Sequence, residues 1–310
     1  MFGSTTKIIN ANNNPNDTIS DIVFHSSFNY LGVSSWDGSL RIYDSNLDFK
    51  LKGEFNAPLL SCSFYEGSLY GASTNGSVCN LDLNSGQLTP TQIKHNDGIR
   101  SIRTFQNMLV TGSWDKTIKF WDVRTQQPAH TINLPDRIFV MDLKKELLVA
   151  SIAGNRLYSF DLKNNCQQST QTTRLTYQIR ALDVGYDNDS FAVGSIDGRC
   201  EIISCTSPGR NFSFRGHRSG IDVYSINCIN ISPASTSKIA TGGADSYVVV
   251  HDRSTRSKII NENMKEPPTA GIFNQDGSKY VFATGNDWSK GYVMGNIATT
   301  LRMVEVRSRY

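Results

Sequence analysis

The chain has 310 residues, 38% hydrophobic and 19% charged, with 24 glycines, 9 prolines and a net charge of +3. That length can bury a large core in one or two compact units, and the balance suits short strands joined by many turns. So small an excess of positive charge does not by itself mark a nucleic-acid binder, and no apolar run approaches the roughly 20 residues that cross a bilayer as a helix. The six cysteines show neither a Cys-x-x-Cys pair nor zinc-ligand spacing, and they read as reduced, mostly buried thiols with no metal among them. The N-terminal stretch has neither the apolar core of a secretion signal nor the arginines of a transit peptide, so the expected setting is cytosolic or nuclear.

In chain order, residues 1–18 read as a flexible tail able to supply a closing strand, and 19–310 as one domain. Within that domain a short unit recurs: a small-residue turn, then alternating apolar residues, often ending in an aromatic-Asp pair. The copies are SSWDGSLRIYD at Asp37, STNGSVCNLD at Asn75, GSWDKTIKFWD at Asp115 and IAGNRLYSFD at Asn155. They continue with SIDGRCEIIS at Asp197, GADSYVVVHD at Asp245 and a diverged TGNDWSKGYV at Asp287. Successive turn positions are 38, 40, 40, 42, 48 and 42 residues apart, which matches the roughly 40 to 45 residues of a WD-type blade. Each unit holds about four short alternating runs bounded by Gly, Asn, Asp or Ser, so each predicts a four-stranded sheet. A lone sheet leaves both faces wet, and seven stacked around an axis close into a ring, so the expected fold is an all-β, seven-bladed β-propeller.

The third unit is the least degenerate. His95, Ser113, Asp115 and Trp121 are expected to form a hydrogen-bonded chain, with Asp115 on one nitrogen of a buried histidine and Ser113 facing the other. The sixth unit keeps His217 and Asp245, with His251 at the tryptophan position and Gly243 at the serine position. The phosphate-cradling G-x-x-x-x-G-K-[ST], the dinucleotide G-x-G-x-x-G, H-E-x-x-H and G-x-S-x-G are all missing, so no catalytic residue and no cofactor is assigned.

Several segments resemble the RNA export factor family of WD-repeat proteins, nuclear-pore-associated propellers. The resemblance is carried by MFGSTT at the start, TGSWDKTIKFWDVRTQQP (111–128), INLPDRIFVMDL (132–143), GSIDGRCEI (194–202), FRGHRSG (214–220) and NDWSKG (286–291). It implies a non-enzymatic scaffold that binds the GLEBS segment of an FG nucleoporin on one face and contacts single-stranded RNA or messenger ribonucleoprotein. It further implies residence in the nucleus, at the nuclear pore complex and in the cytoplasm, without membrane insertion, as a monomer alone and a heterodimer with its partner. A sister family, the mitotic checkpoint propellers that bind GLEBS-type motifs of checkpoint kinases, is similar in GSWDK and SIDGR. The last-blade DWSKG and the FG near the start favour the export family. The chain departs from that family in its ending, GYVMGNIATTLRMVEVRSRY, and in a shortened loop after FRGHRSG. The seventh blade is therefore expected to close either with the C-terminal stretch or with residues near Thr5 to Asn10, since closure removes an exposed sheet edge.

Loops of equal phase gather on one face of a propeller, so phase selects candidates. Trp36 and Trp114 each precede the turn aspartate and either anchor a partner or cap neighbouring blades; Trp288 follows Asp287. Arg180, Arg199 and Arg218 correspond, through the resemblance, to the region that receives acidic residues of the partner hairpin. The competing reading pairs each guanidinium with a carboxylate of its own blade, such as Asp197 or Asp222. Trp288, Lys290 and Asp287 form a candidate RNA or edge-binding group, with Lys116, Lys119, Arg210, Arg215, Arg302, Arg307 and Arg309 as further basic candidates.

Overall fold

The computed structural model describes residues 7–125, 127–291 and 298–306. The MFGSTT motif, Arg307 and Arg309 lie outside the described residues. Among those described, the strands form seven four-stranded antiparallel sheets and one short hairpin ladder, Arg218–Ser219 with Asp222–Val223. Blade one comprises Ile19–Phe24, Tyr30–Ser35, Ser39–Asp44 and Phe49–Glu54. Five more blades follow in the same order, each innermost strand touching the next, until Pro268–Phe273 of blade seven returns against Ile19–Phe24.

Blade seven draws on both ends of the described chain. Its third strand is Thr300–Glu305 and its outermost strand is Ile8–Asn10, paired through Ile8 with Val304 and Asn10 with Arg302. Beyond that strand the chain stays anchored: Arg41 and Tyr43 both donate to the Asn13 carbonyl, at 2.9 Å each.

The repeat has a local cause. The first aspartate of each good copy caps its own turn, as where Asp37, Asp115 and Asp245 Oδ1 accept the N–H two residues on, at 2.9 to 3.1 Å. The second aspartate does the same at the other end of the blade: Asp44, Asp122 and Asp252 accept from Asn46, Arg124 and Ser254. Between these caps, alternate side chains fill apolar layers that lie between blades. Val110, Ile118 and Phe120 of blade three, for example, pack on Met141, Leu148 and Phe160 of blade four. Close approach demands glycine at Gly194, where a Cβ would stand 2.5 Å from Ile226 of the next blade.

One irregularity recurs in all seven blades: the register shifts by one residue near the start of the innermost strand, as between Ile99 and Ser101 and between Ile179 and Ala181. Such a bulge leaves its middle residue outside the ladder and re-aims its side chain. Here the middle residues include Arg100, Arg180, Asn227, Ser20 and Thr269, and all five line the central channel.

Candidate functional site: one end of the channel and its rim

The polar network of blade three differs from its expected wiring at one link. His95 Nδ1 donates to Asp115 at 2.9 Å, but Nε2 meets the Thr111 hydroxyl at 2.7 Å, and Trp121 Nε1 donates to the same oxygen at 2.8 Å. Thr111 is thus the linking residue, not Ser113. Ser113 donates to the Gly98 carbonyl at 2.9 Å and accepts the Asp115 N–H at 3.0 Å. With Nδ1 facing a carboxylate, the proton sits there, so the chain runs from indole N–H to hydroxyl, from hydroxyl to Nε2, and from Nδ1–H to Asp115. Burial pushes the His95 pKa down to about 4 against the pull of Asp115, so the ring is neutral. Blade six repeats the wiring with His217, Asp245 at 2.7 Å and Thr241 at 2.9 Å. There His251 stands in the tryptophan place with its Nε2 buried and unpaired among the described residues, and Thr241, not the residue at Gly243, serves as the link.

The channel, a cavity of about 610 Å³, carries a belt of charges around its middle. Arg103 bridges Asp21 at 2.8 Å and Asp142 at 2.6 Å, and Lys144 Nζ reaches both oxygens of Asp183 at 2.8 Å. The carboxylates also accept backbone N–H groups of the following blade, Val184 on Asp142 and Ile231 on Asp183. Burial opposes these charges, yet Asp21 and Asp142 hold Arg103 above its ordinary pKa, Asp183 and Asp142 do the same for Lys144, and Arg103 keeps Asp142 below its own. Fully paired groups held in this way stitch blades together rather than trade protons near neutrality. No group of three or more His, Cys, Asp or Glu able to hold a metal occurs among the described residues.

The turn-aspartate end of the channel differs in having cations without carboxylate partners. Arg100 lies at the mouth with no ion pair or hydrogen bond among the described residues, and burial lowers its pKa. Arg180 spends donors on the Asp287 carbonyl at 2.9 Å and on Ser225 at 3.4 Å; burial lowers its pKa against the pull of the Asp287 charge, and it makes no ion pair among the described residues. Sequence reasoning passed over Arg100 because innermost strands read as core; only the bulge turns it into the channel.

Trp36, Trp114, Trp288, Lys290, Arg199 and Arg218 share that end, whereas Arg210 lies toward the opposite end and Arg302 pairs with Glu266 at 3.6 Å. Trp36 and Trp288 are exposed, at 41% and 58%, and Thr18 ties their loops together, accepting the Trp36 N–H and donating to the Asn286 carbonyl, each at 2.9 Å. Trp288 holds φ at +61°, a left-handed conformation unusual for a bulky residue, in a turn capped by Asn286 and Asp287. Asp287 itself is buried, its carboxylate taken by Asn227 at 2.8 Å and by Ser289, so it displays the tryptophan rather than facing outward. Lys290 is exposed beside it. Trp114 is half-buried with its ring against Gly98, where a Cβ would come within 2.5 Å of it, which is the capping role. Arg199 pairs with Asp197 of its own blade at 3.0 Å, and Arg218 donates to the Asp197 carbonyl at 3.3 Å, its side chain otherwise exposed. The hairpin beyond Arg218 carries Ile221, 98% exposed.

A closed ring of seven four-stranded blades whose turn aspartates cap each unit defines a WD-repeat propeller. The model for the WD domain, G-beta repeat, matches residues 3–44, 86–122 and 209–252. The U3-55K structure superposes at a TM-score of 0.83 with 14% identity, covering 97% of this chain and 99% of that one, a likeness of fold alone. Among curated proteins, the WD40 repeat protein poxJ of Penicillium oxalicum is 32% identical over 94% of this chain and 90% of its own length. The poly(A)+ RNA export protein of Schizosaccharomyces pombe is 31% identical (95% and 88% covered), and protein Rae1 of Drosophila melanogaster is 32% identical (96% and 94%). The mitotic checkpoint protein BUB3.1 of Arabidopsis thaliana is similar at 28% over 90% of this chain and 87% of its own. The chain belongs to the RNA export factor family of WD-repeat proteins, with the checkpoint propellers as its sister family.

Proposed function

We propose that this chain is a non-enzymatic mRNA export adaptor, working at the nuclear pore, that seats the GLEBS segment of an FG nucleoporin on the turn-aspartate end of the propeller. The observation that carries this reading is the pair Arg100 and Arg180, two half-buried cations at a channel mouth with no carboxylate in ion-pairing contact among the described residues. A half-buried guanidinium whose nearest opposite charge is out of pairing reach is partly desolvated at a cost, and an entering Asp or Glu relieves that cost with a forked contact. Exposed Trp36, Trp288 and Ile221 and the free donors of Arg218 surround the mouth as apolar and cationic anchors. Arg199, already paired, contributes less, and Trp114 acts through its loop. Trp288 and Lys290 present an aromatic and a cation to RNA at the same edge.

The test is calorimetric titration of the full chain with a GLEBS peptide. Arg100→Gln, which breaks no internal bond, is expected to weaken binding at least about tenfold, and Arg218→Glu by about 2 kcal/mol. Equal affinity in folded variants refutes the placement. Affinity capture from matching cells separates the sister reading, in which checkpoint kinases and no nucleoporin are recovered.

A further inference from the structure

The end opposite the turn aspartates carries a second kind of surface, where blade seven meets blade one. Three turns wall a slot of about 210 Å³ there: residues 25–29 and 45–48 of blade one, and 274–278 of blade seven. Its floor is apolar, made by Leu47, Val281 and Met303 of the core between the two blades, with half-buried Phe24 packed on the same cluster. Phe28 forms one wall with 59% of its surface exposed, and Tyr30 stands beside it at 37%, the ring centres 6.2 Å apart.

The walls are braced from within. His25 Nδ1 accepts the N–H groups of Ser27 and Phe28 at 3.0 Å each, and its ring lies 4.7 Å from that of Phe28. Gln275 crosses from blade seven and donates to the His25 and Ser26 carbonyls, at 3.1 and 2.7 Å. The rim charges answer one another: Asp44 pairs with Lys50 at 2.8 Å, and hydrogen bonds from Ser278, with the charge of Lys279, keep Asp276 below the ordinary carboxylate range. A rim neutralised in this way rewards neither an acidic nor a basic segment, and the apolar floor beneath it favours one bulky uncharged side chain. Phe24 and Phe28 offer ring faces and edges, which suit an aromatic one. A proline ridge would lie across Phe28 and Tyr30 and leave the floor uncovered. The three turns crowd the mouth, so the residue beside the anchor has to be small.

We propose that this slot takes the phenylalanine of a Phe-Gly dipeptide in an uncharged extended segment, supplied by the same FG nucleoporin. Only that source rests on the partner read above; the chemistry of the slot stands without it. The chain then grips its partner at both ends of the propeller, the acidic stretch at the channel mouth and a Phe-Gly stretch between blades seven and one.

The test titrates the full chain, labelled at its methyl carbons, with the capped peptide Ser-Ser-Phe-Gly-Ser-Ser and reads the methyl resonances. An aromatic ring seated in the slot is expected to shift Leu47, Val281 and Met303 saturably, whereas the same peptide with serine in place of phenylalanine shifts none of them. Phe28→Ala is expected to weaken binding about fivefold. Phe28 is a surface residue, and unchanged thermal unfolding confirms the fold of that variant; the serine peptide tests the anchor independently of it. Arg100→Gln, at the other end, should leave the titration unchanged, as should prior saturation with GLEBS peptide. No saturable shift, equal shifts from the serine peptide, undiminished affinity in folded Phe28→Ala, tighter binding of a hexaproline peptide, displacement by the GLEBS peptide, or a response seen only once residues 1–6 are removed would each overturn the proposal. The GLEBS titration is a separate measurement, so failure at one end leaves the other reading standing.

Discussion

Replacing Thr111 by valine removes one oxygen from the centre of blade three and leaves the shape of the side chain almost unchanged. No cavity opens, and a β-branched residue suits the strand. Two buried groups lose their partner: the Trp121 indole N–H, held at 2.8 Å, and His95 Nε2, held at 2.7 Å. An orphaned buried polar group costs about 1–3 kcal/mol, so the pair together costs about 2–6 kcal/mol. Ser113→Ala, by contrast, cuts bonds to the Gly98 carbonyl and the Asp115 N–H. The Gly98 carbonyl keeps a second donor in Trp114 N–H, so that change costs about 1 kcal/mol. Equilibrium unfolding in urea compares the two, and the indole proton resonance of Trp121 reports directly on its hydrogen bond. A Thr111→Val protein as stable as Ser113→Ala, with that resonance unmoved, refutes the wiring.

The buried histidines make stability pH-dependent. His95 and His251 both have folded pKa values near 4 against 6.5 for a free ring, so the unfolded chain binds protons first and stability falls as pH drops from about 6.5 toward 4, by about 2 kcal/mol per ring between pH 7.5 and 5. His251→Phe should remove roughly half of that slope in urea melts at the two pH values; an unaltered slope counts against a neutral His251. His251→Trp should add about 1 kcal/mol by giving Thr241 the indole donor that blade three has, and a lower melting temperature would contradict it. Asp183→Ala takes both 2.8 Å contacts from Lys144, leaving it only Asp142 at 4.0 Å, and strands the Ile231 N–H; it should cost about 3–5 kcal/mol, read as a fall in unfolding midpoint that Lys144→Met in the same chain partly restores. Gly194→Ala places a carbon 2.5 Å from Ile226 and should cost about 1–3 kcal/mol, with wild-type stability as the refuting result.

Local chemistry was legible where one residue acts on its near neighbours. The turn aspartates reach only two residues along the chain, so their recurrence at Asp37, Asp115 and Asp245 exposes the repeat directly. The His95–Asp115 contact spans 20 residues but rests on the same register in two blades. Ser113 and Thr111 were indistinguishable by pattern, because residues two apart point to the same face of a strand. Which hydroxyl meets the imidazole depends on how deep that ring is inserted. Asp287 looked like a surface acid beside Trp288, and it is buried because Asn227 of blade six reaches its carboxylate.

The sequence alone determined the unit, its number and its handover from turn to strand, since each rests on contacts within about 45 residues and on an alternation with a period of two. Tertiary structure decided what lies at the axis. Seven strands that converge from across the whole chain place Arg100 beside Arg180 at one mouth, commit Arg103, Asp142, Lys144 and Asp183 to one another, and join Ile8–Asn10 to Thr300–Glu305. Those neighbours are set by closure of the ring, and a bulge or a meeting of distant segments leaves no mark in the order of residues along the chain.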